Sequence, residues 1–309
     1  MPQVYDVLVI GGGPGGYTAA LYAARANLSV MVLEKLTPGG QMGTTDVIDN
    51  YPGFPEGVGG FELALQMQKG AQRFGAQTQL SEVISVELGG TVKQVRTQDG
   101  TYQARTVVLA SGAHPRELGL SGEQELRGRG VSYCATCDGM FYRGKTVAVV
   151  GGGNTAVSDV LYLSRLCQKV YLIHRRDQLR ASKVYLDPLQ QAENVEFVWD
   201  SQVQKLLYRD VLTGVQVRHK KTGELREIPC DGLFVAVGHV PNTELYQGQV
   251  ELDQAGYVLA DETTQTNLPG VFAVGDLRKK PLRQVITAAS DGAVAAHFIE
   301  EYVSTTLQG

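Results

Sequence analysis

Short runs of β-branched and aliphatic residues, each stopped by glycine, recur along the chain and set its plan. Val7-Leu8-Val9-Ile10 is the first, and it ends in Gly11-Gly12-Gly13-Pro14-Gly15-Gly16. A short β-branched run of this kind, stopped by glycine, reads as a strand. An alanine-rich helix from Tyr17 to Ala26 follows, then a second strand from Ser29 to Leu33 that stops at Glu34. From Phe61 to Phe74 the apolar positions take the spacing of an amphipathic helix. A β-rich stretch comes next, with Asp99-Gly100 suited to a hairpin turn. The strand Thr106 to Ala110 ends at Ser111-Gly112, and His114-Pro115 breaks it.

The second half repeats this pattern. Thr146 to Val150 runs into Gly151-Gly152-Gly153-Asn154-Thr155-Ala156, a helix containing alanine and leucine, and a second strand from Lys169 to Ile173. Leu233 to Val237 stops at Gly238, with Pro241 shortly after. Near the end, Gly270 to Val274 is a strand closed by Gly275-Asp276, and an amphipathic helix runs from Val285 to about Val303. The pattern predicts an α/β protein of two Rossmann-like, three-layer nucleotide-binding domains, one inserted in or following the other.

Each βαβ unit carries glycines at dinucleotide spacing. Gly11 makes the tight turn, Gly13 lets a pyrophosphate approach the backbone, and Gly16 lets helix and strand pack closely. The pyrophosphate then meets the unpaired N–H groups of the helix start. Glu34 stands where a carboxylate accepts hydrogen bonds from an adenosine ribose, and it would repel a 2′-phosphate. The second loop differs, because its second strand leads into His174-Arg175-Arg176-Asp177 with Arg180 nearby. Guanidinium groups there suit the 2′-phosphate of NADP through bidentate, charge-assisted hydrogen bonds. Asp276, after a strand, is placed to bind the hydroxyls of a polyol chain. The helix start near Gln284 has the partial positive charge that a reduced isoalloxazine needs.

Between the two loops stands Cys134-Ala135-Thr136-Cys137-Asp138. Two cysteines with two residues between them can close a small disulfide ring, which a thiolate or two electrons will open. A structural zinc site wants four ligands in close pairs, and here Cys167, Cys230 and the five histidines are scattered singly. Asp138 reads either as an acid that delivers a proton to a departing thiolate or as a turn residue before Gly139. His174 and His239 fit packing at strand ends better than proton transfer, and Cys167 and Cys230 read as buried small hydrophobes.

Composition narrows the class without changing this plan. A length of 309 residues suits two domains, and 43% hydrophobic with 19% charged residues is the make-up of a soluble globular protein. A net charge of -4 argues against nucleic acid as the main partner. No apolar run approaches the length of a membrane span, and the chain enters a strand at Val4 without the pattern of a signal peptide. The expectation is a cytoplasmic protein.

The blocks GGGPGG, PGGQ, NYPGFP, ASGAHPR, GRGVSYCATCDG, GGGNTAV, HRRDQLRAS, FVAVGHVPNT, QTNLPGVFAVGD and RQVITAASDG are similar to those of bacterial-type, low-molecular-weight thioredoxin reductases, along essentially the whole chain. The resemblance implies an FAD domain from residues 1–115 and 246–309, an inserted NADPH domain from 116–245 that carries the cysteines, a homodimer, and thioredoxin as the protein substrate. It implies that Cys137 interacts with the flavin, that Cys134 attacks thioredoxin, and that Asp138 is the acid. FAD-binding positions implied are Gly11, Gly13, Pro14, Gly16, Glu34, Lys35, Gly40, Gln41, Asn50, Val83, Ala110, Gly112, Gly275, Asp276, Arg283, Gln284 and Val285. Those for NADPH are Gly151, Gly153, Asn154, Thr155, Ala156, His174, Arg175, Arg176 and Arg180. The chain departs from the family pattern at Ser111, at Leu282, where an aromatic residue often precedes the RQ pair, and at Asp291, a variable place. A same-fold flavin disulfide reductase that draws on ferredoxin or serves a glutaredoxin-like partner is the rival expectation, and the arginine cluster favours NADPH.

Overall fold

The computed structural model describes residues 3–45 and 47–306. The chain divides into two compact units: the first runs to His114 and resumes at Val240, and the second is Pro115–His239. The crossing expected at 245/246 thus lies earlier. Residues 240–245 go with the first unit because Asn242 donates from Nδ2 to Ser111 O at 2.8 Å and from its N–H to Gly112 O at 3.0 Å. Tyr246 is then fully buried in that unit's core.

The first unit begins with β1 (Val4–Ile10), α1 (Pro14–Arg25), β2 (Val30–Glu34), α2 (Gly60–Gln72) and β3 (Gln77–Leu80). It continues through β4 (Val83–Glu87), β5 (Lys93–Thr97) and β6 (Thr101–Leu109) to β7 (Ala113–Pro115). The second unit contains β8 (Val131–Ser132), α3 (Ala135–Asp138), β9 (Thr146–Gly151), α4 (Asn154–Ser164), β10 (Lys169–Ile173), α5 (Lys183–Gln190) and β11 (Val195–Val198). A meander of β12 (Ser201–Tyr208), β13 (Leu212–His219) and β14 (Leu225–Pro229) leads to β15 (Gly232–Ala236). The chain then returns through β16 (His239–Pro241), β17 (Val271–Ala273) and α6 (Val285–Thr306).

Each unit is built on its own sheet, and the two share a parallel plan. In the first, the parallel order is β3-β2-β1-β6, with β17 beside the later half of β6 while β5 pairs antiparallel with the earlier half. In the second, the order is β11-β10-β9-β15-β8, all parallel. Alternate residues of β1 explain the layering. Val7 and Val9 face α1 and α6 across one core, whereas Leu8 and Ile10 join Val86, Val95 and Val258 on the other side. In the second unit Val147 and Val149 face α4, and Ala148 lies in the core closed by Val203, Val215 and Ile228 of the meander. Each unit therefore has three layers, and the layer opposite the helices is β-structure.

Local chemistry sets the element ends. α1 starts at Pro14 rather than Tyr17, since Pro14 fits the first helical turn, where its missing N–H costs nothing. Thr97 N–H donates to Gly100 O at 2.8 Å, which closes the β5–β6 hairpin around Asp99-Gly100.

Candidate functional site

In the first unit the glycine loop between β1 and α1 is crowded at its ends and open in its middle. A β-carbon on Gly11 would stand 2.4 Å from Ala110 O, and one on Gly16 2.0 Å from Gly11 O; at Gly13 nothing lies within 4 Å. Gly11 also holds φ +108°, a conformation that only glycine adopts without strain. The loop thus presents bare backbone to open space at the start of α1. Glu34 steadies it: Oε2 accepts from Gly12 N–H at 2.7 Å and Oε1 from Leu36 N–H at 3.1 Å. Each carboxylate oxygen has further lone pairs for a hydroxyl donor.

Around this loop lie Gly40 and Gly112, both at positive φ and both open. Gln41 donates from Nε2 to Ala113 O, and Asn50 from Nδ2 to Gln284 Oε1 at 2.9 Å. Ala110 N–H donates to Ile10 O at 2.9 Å, Val83 opens β4 half-buried, and Lys35 pairs with Glu82 at 2.7 Å. Val285 packs on a small core of Met42, Ile48, Val58, Leu63 and Ala64. The guanidinium of Arg283 lies 4.1 Å from the centre of the Tyr257 ring. Asp276 Oδ1 is buried with no hydrogen-bond partner among the described residues. Burial pushes its carboxyl up, although Lys280 and Arg283 oppose the shift. A buried carboxylate oxygen without a partner is costly unless something donates to it. Together with the open glycine loop it fits a dinucleotide that carries a polyol chain.

The second unit repeats the loop with one exchange. Gly151 is crowded by Ala236 O and the Ala156 side chain, whereas Gly153 faces open space. Asn154 Oδ1 accepts from Ser182 N–H at 2.9 Å, Thr155 is exposed and Ala156 is fully buried. Where Glu34 faces Gly12 in the first unit, the imidazole of His174 faces Gly152, 2.2 Å from where a β-carbon would stand. Burial lowers the His174 pKa, with repulsion from Arg180 and Arg175 in the same direction and the Gly151 and Gln178 backbones opposing. Its Nε2 has no partner among the described residues. Arg175, Arg176 and Arg180 are exposed, and none pairs with an acid among the described residues. Their nearest acids are taken instead: Lys221 lies 2.9 Å from Asp200 and 3.6 Å from Asp177. The result is a corner of unneutralised guanidinium groups at the end of β10, suited to a phosphate dianion.

Cys134 and Cys137 are joined as a disulfide at the start of α3, with Cα atoms 5.3 Å apart. Ser132 ties the pair to Asp138: its Oγ donates to Asp138 Oδ2 at 2.6 Å and accepts from Cys134 N–H at 3.1 Å. Tyr133 donates to Glu123 Oε1 at 2.8 Å, and the buried Glu123 also accepts from the N–H groups of Leu118, Gly119 and Leu120. Met140 and Phe141, just after the pair, are about half exposed at 47% and 52%. Cys167 and Cys230 are buried thiols, with burial pushing their pKa values up to about 11 and about 12. They are therefore poor nucleophiles.

The structure adds Ser132, Glu123 and Asp159, none of them an expected site residue, and Asp291, expected only as a variable place. Asp159 lies on α4, one turn beyond Ala156, and burial alone pushes its carboxyl from 3.8 up to about 7. The folded chain holds this proton to about pH 7 while the unfolded chain releases it near 3.8. Stability therefore falls as pH rises across that window and stays lower above it. Asp159→Asn is expected to be more stable than the parent at pH 8, on the order of 2–4 kcal/mol, and no more stable at pH 3.5. Thermal unfolding at both pH values checks this; an advantage of equal size at both would remove the buried carboxylate as its cause.

The pyridine nucleotide-disulphide oxidoreductase profile matches residues 5–292. The chain is 47% identical over 302 residues to a thioredoxin reductase of Mycolicibacterium smegmatis, covering 97% of each. It is 45% identical over 307 residues to that of Streptomyces coelicolor, covering 98% of this chain and 95% of the relative. Among solved structures, the thioredoxin reductase of Streptococcus pyogenes superposes with a TM-score of 0.91 at 42% identity, covering 99% of this chain and all of that one.

Proposed function

Because the chain belongs to the pyridine nucleotide-disulphide oxidoreductase family, we propose that it is an NADPH-dependent flavoenzyme that reduces the disulfide of thioredoxin. The observation that carries this is the Cys134–Cys137 disulfide, held beside Asp138 in the unit whose strand β10 leads to arginines with no acid partner among the described residues. FAD goes to the first unit, where Glu34 takes ribose hydroxyls and Asp276 the polyol chain. NADPH goes to the second, with its 2′-phosphate on Arg175, Arg176 and Arg180. The homodimer and a cytoplasmic setting, where thiols are kept reduced, belong to the same reading.

A flavin and a nicotinamide, when bound, would supply the two electrons that open the cysteine pair. The rest falls to the chain's own residues. One opened thiolate, assigned to Cys134, attacks the substrate disulfide; a new S–S bond forms to Cys134 and the substrate's other sulfur leaves as a thiolate. Cys137 then attacks Cys134 Sγ, re-forms the ring and releases the second substrate thiolate. Asp138, oriented by Ser132, holds the proton that these thiolates require. Met140 and Phe141 offer an apolar contact to the protein that presents the disulfide.

The test is steady-state oxidation of NADPH by the holoenzyme with thioredoxin and a terminal disulfide. The expected result is turnover that requires thioredoxin and fails with NADH at the same concentration. Reduction of thioredoxin by ferredoxin, with NADPH inert, would favour the rival reading.

A further inference from the structure

Asp291 sits in the first unit among buried cations that explain what it does there. It lies on the second turn of α6 with a side chain 9% exposed. Its Oδ2 accepts three hydrogen bonds: from Gly275 N–H at 2.9 Å, Arg278 Nε at 3.1 Å and Lys280 Nζ at 2.6 Å. Both cations are themselves buried, at 10% and 5% side-chain exposure. Each also makes a second bond, Arg278 from Nη1 to Asp261 O at 2.9 Å and Lys280 from Nζ to Thr287 O at 3.1 Å.

Asp276, one residue from Gly275, is the other carboxylate of this cluster. Arg283 does not reach it with a side-chain bond: Nε points to the main-chain oxygen of Asp276 at 3.4 Å while the guanidinium stacks on Tyr257. Two carboxylates thus share a pocket with three cations, and every close pairing goes to one of them. Left to Coulomb attraction alone, a buried lysine would divide between two such acids.

We propose that Asp291 is a positioning residue of the flavin cradle, which captures Arg278 and Lys280 and thereby keeps Asp276 Oδ1 unpaired for the hydroxyls of the polyol chain. Gly275 N–H, tied to the same oxygen, fixes the turn at φ +75° from which Asp276 emerges. The inference rests on the reading that the first unit binds FAD. Asp291→Asn takes away the anionic partner of Lys280, which then turns onto the remaining carboxylate, Asp276, blocks the hydroxyl site and adds uncompensated positive charge nearby.

The experiment compares the purified holoenzyme with Asp291→Asn and the charge-balanced Asp291→Asn/Lys280→Gln. Two readouts are used: FAD retained per chain after dilution, and the flavin midpoint potential. Asp291→Asn is expected to bind FAD about tenfold or more weaker, with a midpoint shifted positive because the added charge favours the reduced cofactor. The double variant is expected to recover most of the affinity and the parent potential. Equal losses in the single and double variants would make Asp291 a packing staple and overturn the proposal, as would an Asp291→Asn protein that matches the parent in both readouts. Should Asp291→Asn fail to fold, the double variant decides: parental retention and potential uphold the proposal, and a loss overturns it. A parent enzyme that binds no FAD would instead fail the cofactor reading, and the inference with it.

Discussion

Serine at either cysteine is expected to cut turnover with thioredoxin by roughly 10³-fold or more, while NADPH still reduces the bound flavin at the parental rate. The two halves of the reaction use different atoms. In the proposed reading, coenzyme and flavin would be held by the loops Gly11–Gly16 and Gly151–Ala156 and by the arginines after β10, none of which includes a cysteine. The exchange with protein needs both sulfurs, one to attack and one to resolve, and a serine hydroxyl does neither at neutral pH. The variants should also differ from each other. In Cys137→Ser the attacking Cys134 remains, so a covalent mixed disulfide with thioredoxin accumulates and runs as a larger species on a non-reducing gel. In Cys134→Ser it does not. Stopped-flow absorbance of the flavin band measures the first half-reaction. Its loss in both variants, or trapping by Cys134→Ser alone, would contradict the assigned roles.

The second large effect concerns the coenzyme. Arg175→Ala/Arg176→Ala is expected to lower kcat/KM for NADPH about 10²-fold and that for NADH less than about threefold. A hydrogen bond between charged groups contributes about 1.5–3 kcal/mol, and the exposure of both arginines takes part of that away through screening. Lys221 matters for the same balance. It holds Asp177 and Asp200, which otherwise compete with the phosphate for the guanidinium groups. The preference for NADPH should accordingly shrink as salt rises. Steady-state kinetics with both coenzymes at two ionic strengths check this, and equal losses for NADPH and NADH would refute the phosphate role.

Much of the architecture is legible in the sequence because parallel strands buried on both faces are uniformly apolar. β1, β9 and β15 announce themselves this way, and the glycines after β1 and β9 mark where backbone must be bare. The meander β12–β14 is not legible in the same way. Its strands alternate buried Val203 or Val215 with exposed Gln202 or Lys205, and bulges at Val203/Lys205 and Leu207/Tyr208 interrupt the alternation. The start of α1 is hidden by Gly15 and Gly16, which read as turn residues but take helical positions because Gly16 packs against Gly11.

The site divides along similar lines. Residues in local motifs, such as Cys134, Cys137, Glu34 and the arginines, can be read from spacing. Asp159 and Asp291 owe their character to burial and to neighbours supplied by folding, and their sequence surroundings show only an acid on an otherwise apolar helix face. That pattern, Ala288-Ala289-Ser290-Asp291-Gly292-Ala293, is a usable signal. An aspartate there needs partners, and Arg278 with Lys280 supplies them from the preceding turn. Ser132 and Glu123 leave no such trace, because a serine or glutamate near a turn has many ordinary roles.

The proposed relay runs from NADPH through flavin and the cysteine pair to a protein disulfide. Anaerobic absorbance of the purified enzyme is its sharpest test. The expected result is a yellow protein whose flavin band bleaches on adding NADPH and returns when oxidised thioredoxin is mixed in. A protein that carries no flavin band, or one that bleaches and is not reoxidised by thioredoxin, would contradict it.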